Sequence, residues 1–286
     1  MVKSKRDLVF DTAIFIVLAF AALAAVFPLL YVFSVSLTPY AEVVKNGGFV
    51  LLPKHITLSA YKGLFQQTGL PQAFGVNVFI TVAGTFVNML LTVLMAYPLS
   101  RKKLKGRSFL LLLVVFTMLF SGGLIPTYLV VKATGLLNTV WAMIVPNAIW
   151  SFNILIMKSF FESLPEELFE SAKIDGAGES RILLQMVVPL SLPSMMTVGL
   201  FYMVGHWNEL FQAVLYVTNP DLHPLQVFVR NILLQSQMSE IAVDVTLPTQ
   251  TLQMAAVLVA SLPIIAVYPF IQKYFTKGML LGSIKG

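Results

Sequence analysis

Residues 160–193 read FFESLPEELFESAKIDGAGESRILLQMVVPLSLP. Six of the chain's thirteen carboxylates fall between Glu162 and Glu179, and long apolar runs lie on both sides. The solvent of those runs decides the fold. The 286 residues are 57% hydrophobic and 11% charged, where soluble domains carry about 25% charged residues. Mean hydropathy is +0.83. Several windows hold the roughly 18 residues with few charges that cross a hydrocarbon core at about 1.5 Å per residue. The chain therefore reads as an all-α, polytopic membrane protein with six transmembrane helices, and the acidic stretch as a loop at the membrane surface.

On the N-terminal side, Lys3, Lys5 and Arg6 precede an apolar run from Thr12 to Val35. It is longer than a signal-peptide core and no small-residue cleavage pattern follows, so it reads as an uncleaved first span, kinked at Pro28, that starts in the cytoplasm. An outer loop, Thr38 to Gln72, carries a short helix over Thr57–Phe65 capped by Thr57 or Ser59. The second span, Ala73 to Leu99, runs into Arg101, Lys102, Lys103, Lys105 and Arg107, a basic turn that marks the cytoplasmic side. The third span, Phe109 to Val131, is interrupted by Ser121-Gly122-Gly123 and Pro126; the fourth begins at Trp141 and ends near Phe161. Beyond the acidic loop, the fifth span covers about Val187 to Val217 and a short helix is expected over Leu225–Leu234. The sixth, Thr251 to Phe275, leads to Lys273, Lys277 and Lys285 on the cytoplasmic side. The resulting map is a cytoplasmic N-terminus (1–11), a membrane domain (12–275) containing the cytoplasmic loop (160–193), and a cytoplasmic tail (276–286).

Within the loop, Pro165 is suited to a first helical position, and Glu166 and Glu167 to a first turn where the helix dipole favours anions. Leu164, Leu168 and Phe169 supply apolar contacts, while Ala172 and Gly176, four residues apart, leave a bare patch. A net negative surface helix is repelled by anionic headgroups, so it reads as docking on a protein. Polar residues inside spans are the other candidates. In the second span Gly75, Asn77, Thr81, Gly84, Thr85, Asn88 and Thr92 suit close helix packing or a translocation path. Asn153 suits an interhelical hydrogen bond or the path. His206, Trp207, Asn208 and Glu209 suit a hydrogen-bonding cluster or a site next to solute; a lone Glu beside a lone His does not make a proton relay. The absence of cysteine excludes thiol chemistry, His55, His206 and His223 show no metal-ligand spacing, and no GxxxxGK loop is present for nucleotide. Basic residues flank apolar runs, which fits lipid headgroups and not nucleic acid.

Glu170-Ser171-Ala172, Ile174-Asp175-Gly176-Ala177 and Pro189 resemble the cytoplasmic EAA loop of permease subunits in bacterial ATP-binding-cassette importers. More narrowly, they resemble the carbohydrate permeases of the maltose-permease second-subunit type. That signature is Glu-Ala-Ala, three residues, Gly, nine residues, then Ile, any residue, Leu and Pro. Glu170, Ala172, Gly176 and Pro189 match; Ser171, Met186 and Val188 replace Ala, Ile and Leu. The order of spans, the long outer loop, the basic turn and Trp207-Asn208-Glu209 extend the likeness over most of the chain. The resemblance implies a second permease subunit, forming a heterodimer or a homodimer, two ATPase subunits on the two loops, and an extracytoplasmic solute-binding protein. Glu166, Glu167, Glu170, Ser171, Ala172, Asp175, Gly176 and Ala177 would meet the ATPase; ATP and Mg would sit in those partners, with no cofactor or metal on this chain.

The function expected is that of a permease subunit in the bacterial cytoplasmic membrane, importing a sugar or oligosaccharide, with a narrower likeness to permeases for acidic polysaccharide breakdown products. The alternative is a secondary transporter of a small polar solute. A membrane-embedded enzyme is disfavoured because Glu209 and His206 lack a nucleophile or metal set.

Overall fold

The structure is a computed structural model that describes residues 5–66, 69–238 and 249–283; the extreme ends of the chain, with Lys3 and Lys285, lie outside them. All regular secondary structure among the described residues is helical, without strands. In chain order they form α1 (Lys5–Ser36), α2 (Tyr40–Lys45), α3 (Ser59–Gln66), α4 (Gly69–Ser100), α5 (Arg107–Leu119) and α6 (Leu124–Ala133). Two 3-10 turns, Val140–Met143 and Val145–Asn147, precede α7 (Ser151–Glu162) and α8 (Glu166–Ile174). Then come α9 (Glu179–Leu190), α10 (Leu192–Trp207), α11 (Phe211–Tyr216), α12 (Leu225–Met238) and α13 (Gln250–Ser283).

Among the described residues, three helical stretches are by themselves long and apolar enough to cross a bilayer: Phe10–Ser36, Gly69–Ser100 and Gln250–Val267. Three more reach that length only as bent pairs, α5 with α6 (115°), the 3-10 turns with α7 (54°) and α9 with α10 (82°), giving up to six. The third expected span is thus no straight crossing. Phe120 is extended and Gly123 has φ +86°, a conformation that costs glycine nothing, so the chain turns back where a kink was expected. The fourth begins as 3-10 turns because Pro146 and Asn147 interrupt α-helical pairing. At the other end of the chain α13 runs on to Ser283, so helix continues into the segment read as a tail.

The chain divides into two compact units. The first comprises Met1–Leu70 and Phe228–Leu262. No residue in the most apolar stretch of its α1 is buried, and Phe15, Leu18, Phe20 and Leu23 are exposed; in lipid this is an ordinary surface. Around Val35, Val43 and Val50 the loop after α1 forms a small core, held by Tyr31 donating to Gly48 O at 2.9 Å. Thr57, rather than Ser59, caps α3, its Oγ1 accepting from Ser59 N at 3.2 Å.

The second unit, Pro71–Val227 and Pro263–Gly286, contains the candidate site. One core gathers Tyr97, Ile154, Met157, Phe161, Phe169, Ile182 and Tyr202 from α4, α7, α8, α9 and α10. A second gathers Ile80, Met143, Ile144, Tyr216 and Val227. In hydrocarbon such helices gain little from the hydrophobic effect, so close packing and interhelical hydrogen bonds hold them.

Candidate functional site

The acidic stretch folds as a short helix, a turn and a second helix. Pro165 is the residue before α8, with φ −56° and ψ 134°, and not its first helical residue. Glu166 and Glu167 occupy the first turn and Lys173 the last, each matching the helix dipole. Gly176 ends the helix at φ +77°, with Ala177 N donating to Ala172 O at 2.9 Å and Gly176 N to Lys173 O at 3.0 Å. This is a glycine stop that satisfies the last carbonyls.

The helix has two faces. Phe169 and Ala172 are buried in the core beside Tyr97, Phe161 and Ile182, and Ala177 packs against the same core. Glu166, Glu167, Glu170, Ser171, Asp175 and Gly176 are exposed. The bare patch expected around Ala172 and Gly176 is therefore not offered outward, since Ala172 is consumed by this chain's own packing. What the helix does offer is a carboxylate surface with Ile174, 86% exposed, at its tip. Ile174 follows Phe169 by five residues, about 140° round a helix of 3.6 residues per turn, and that spacing was the available signal for an apolar residue off the core face. Leu168, read as an apolar contact, is also exposed.

The polar residues of α4 form one stripe. Asn77, Thr81, Asn88 and Thr92 are all buried and recur at helical spacing. Thr92 Oγ1 lies 2.7 Å from the Tyr202 hydroxyl, which accepts from Trp150 N at 3.2 Å. Asn77 Nδ2 donates to Trp207 O at 3.4 Å. Asn88 Oδ1 accepts from His206 Nε2 at 3.0 Å while its Nδ2 donates to Gly84 O at 2.9 Å and Ala148 O at 3.3 Å. Two glycines make the approach possible: a Cβ on Gly84 would lie 2.5 Å from His206 Nε2, and one on Gly205 2.6 Å from Trp150. Asn88 and His206 thus satisfy each other in a packed interface. Tyr202, four residues before His206 and on its face, escaped the sequence reading because a tyrosine in an apolar run gives no polar signal.

The remaining candidates separate. Asn208 is exposed and donates to Val204 O at 2.8 Å. Glu209 caps α11, its Oε1 accepting from Gln212 N at 2.9 Å. Asn153 is fully buried, yet neither side-chain atom has a hydrogen-bond partner among the described residues, so the expected interhelical bond is not formed. A groove of about 490 Å³ is lined by Thr81, Thr85, Phe86, Met89, Met203, Trp207 and Pro263, among others. Among the described residues no group of three or more carboxylate, histidine or cysteine side chains is placed to hold a metal.

Residues 81–281, which include the polar stripe from Thr81 onward and the acidic helix, match the family described as binding-protein-dependent transport system inner membrane component. The chain belongs to that family. This permease is 45% identical over 290 residues to Protein LplC of Bacillus subtilis (strain 168), across 100% of its own length and 98% of that protein. It is 46% identical over 286 residues to the polygalacturonan/rhamnogalacturonan transport system permease protein YtcP of the same organism, across 98% and 100% of the two chains. Among solved structures it is similar, with a TM-score of 0.87 and 29% identity, to a chain of a bacterial ABC transporter involved in the import of the acidic polysaccharide alginate. That match covers 96% of this chain and 99% of the other. The expectation of a membrane-embedded permease working with a binding protein is met, and the permease is a transport subunit and not an enzyme.

Proposed function

We propose that this permease imports oligosaccharides released from acidic polysaccharides, delivered by an extracytoplasmic binding protein and driven by ATP hydrolysed in partner subunits. The observation that carries this reading is the 46% identity, over essentially the full length of both chains, to a polygalacturonan/rhamnogalacturonan permease. The fold shared with a chain of an alginate importer supports it. A second permease subunit completes the pathway, and both termini lie in the cytoplasm.

In this reading α8 is the input for the motor. Glu166, Glu167, Glu170, Ser171 and Asp175 meet a basic groove of the ATPase and Ile174 fills an apolar pocket there, while Ala172 and Ala177 hold the helix on its own core. ATP and Mg belong to the ATPase subunits. Closure of the ATPase pair moves α8, and the difference in binding free energy between inward- and outward-open states supplies the coupling. In this reading Asn208, exposed at the end of α10, meets solute, and Asn88, Asn153, His206, Trp207 and Glu209 serve the packing around it.

The test is reconstitution of the complete complex with its binding protein, followed by ATP hydrolysis measured with galacturonate oligosaccharides and with neutral oligosaccharides of equal length. Stimulation by the acidic series is expected. Stimulation by the neutral series alone overturns the substrate assignment.

A further inference from the structure

The acidic helix is fastened to an element distant from it in sequence. Arg101, the residue after α4, lays its guanidinium carbon 3.7 Å from the ring centroid of Phe169 on α8. One turn earlier, Tyr97 donates its hydroxyl to Glu179 Oε2 at 2.5 Å, and the other oxygen of Glu179 meets Lys173 Nζ at 2.7 Å. The Tyr97 ring also packs edge-on against Phe161 of α7 at 6.4 Å. Lys173 and Glu179 are half exposed, so their ion pair is weak in water. Tyr97 and Phe169 are buried, at 7% and 4% exposure. The hydroxyl–carboxylate bond is charge-assisted and therefore about twice as strong as a neutral one, and the guanidinium rests on a desolvated ring. These two contacts form the grip.

We infer that Tyr97 and Arg101 are positioning residues that clamp the ATPase-facing loop to α4, so that displacement of α8 reaches the membrane interior through α4 as well as along the chain. Arg101 acts through Phe169 of α8, and Tyr97 through Glu179 at the start of α9, which pairs with Lys173 of α8. The chain route is compliant. From α8 it passes a π-helical stretch, Leu183–Val187, and then the 82° bend between α9 and α10, and such irregular turns absorb motion. The clamp route is stiff. From Tyr97 back to Asn88 and Asn77, α4 is continuous helix, and Pro98 lies in its last turn between the two clamp residues. At the two asparagines it is bonded to α10 through His206 and to Trp207 O. A push on α8 delivered at residues 97–101 therefore shifts the very stripe that holds α10.

The inference rests on the docking reading of α8, and the two fail differently. In liposomes containing the whole complex with its binding protein, Tyr97→Phe combined with Arg101→Ala leaves ATPase subunits attached and ATP hydrolysis present. Solute uptake per ATP falls about tenfold, within the usual range of coupling between sites. Unchanged uptake per ATP in the assembled variant overturns the clamp and leaves docking standing. ATPase subunits that stay attached after Glu166→Lys with Glu170→Lys overturn docking and the clamp with it. A second variant separates positioning from folding. The chain has no cysteine of its own, so Tyr97→Cys with Glu179→Cys creates one addressable pair. Uptake per ATP is low before and restored after joining the pair with a bifunctional thiol reagent. A joined, assembled complex that hydrolyses ATP without restored uptake overturns the clamp.

Discussion

α4 grips its neighbours by two different chemistries. In its middle, neutral amide, imidazole and hydroxyl groups are buried without charge, and glycines set the separation. At and just beyond its end the contacts are charged. Arg101 lies over Phe169 of α8 and Tyr97 bonds Glu179 of α9. Arg107, the first residue of α5, donates to Leu99 O of α4 and pairs with Glu162 of α7, which also meets Lys158 at 2.7 Å. Neutral hydrogen bonds suit a medium that cannot solvate ions. Ion pairs suit a boundary where water screens them and they exchange easily. The difference teaches which part is fixed and which is built to be worked upon.

The comparison breaks most severely where space runs out. Gly84→Val places a side chain in the His206 ring, and overpacking of this kind costs about 1–3 kcal/mol; thermal unfolding of the detergent-purified protein should show the largest loss of the series. His206→Ala in the same chain should recover part of it. Gly176→Val costs about 1–2 kcal/mol through its left-handed backbone, and it should lower the helical stop of α8 and the ATPase co-purified with the chain. A double-mutant cycle of Asn88→Ala and His206→Ala should give a coupling of about 0.6–1.7 kcal/mol that added salt does not change. Glu162→Gln should cost about 1 kcal/mol, because its partners Arg107 and Lys158 keep only part of their contact with water, and added salt should reduce the loss. Equal salt sensitivity of the two regions would erase the distinction.

Much of this was readable from residue order. The six apolar segments follow from length and composition, and the polar stripe of α4 from helical spacing. The acidic helix follows from Pro165, the glutamates behind it and Gly176. What was not readable depends on partners that sequence does not pair. The 115° turn at Ser121-Gly122-Gly123 is a choice of backbone angle that two glycines permit without dictating. Ala172 points inward because Phe169, three residues earlier, finds Arg101 and Phe161, neither of them local. Asn153 looks like a hydrogen-bonding residue by type, and its isolation appears only when every neighbouring helix is in place. Tyr97 and Glu179 are 82 residues apart, and no periodicity links them.

Gly176 combines φ +77° with open space, since a Cβ there meets nothing within 4 Å in this chain. The demand at this position is therefore one of chirality and not of volume. A D-alanine introduced by chemical synthesis or ligation would keep the helix stop that L-alanine strains. Glycine, being achiral, is the genetically encoded residue that stands in for that absent D-amino acid at least cost.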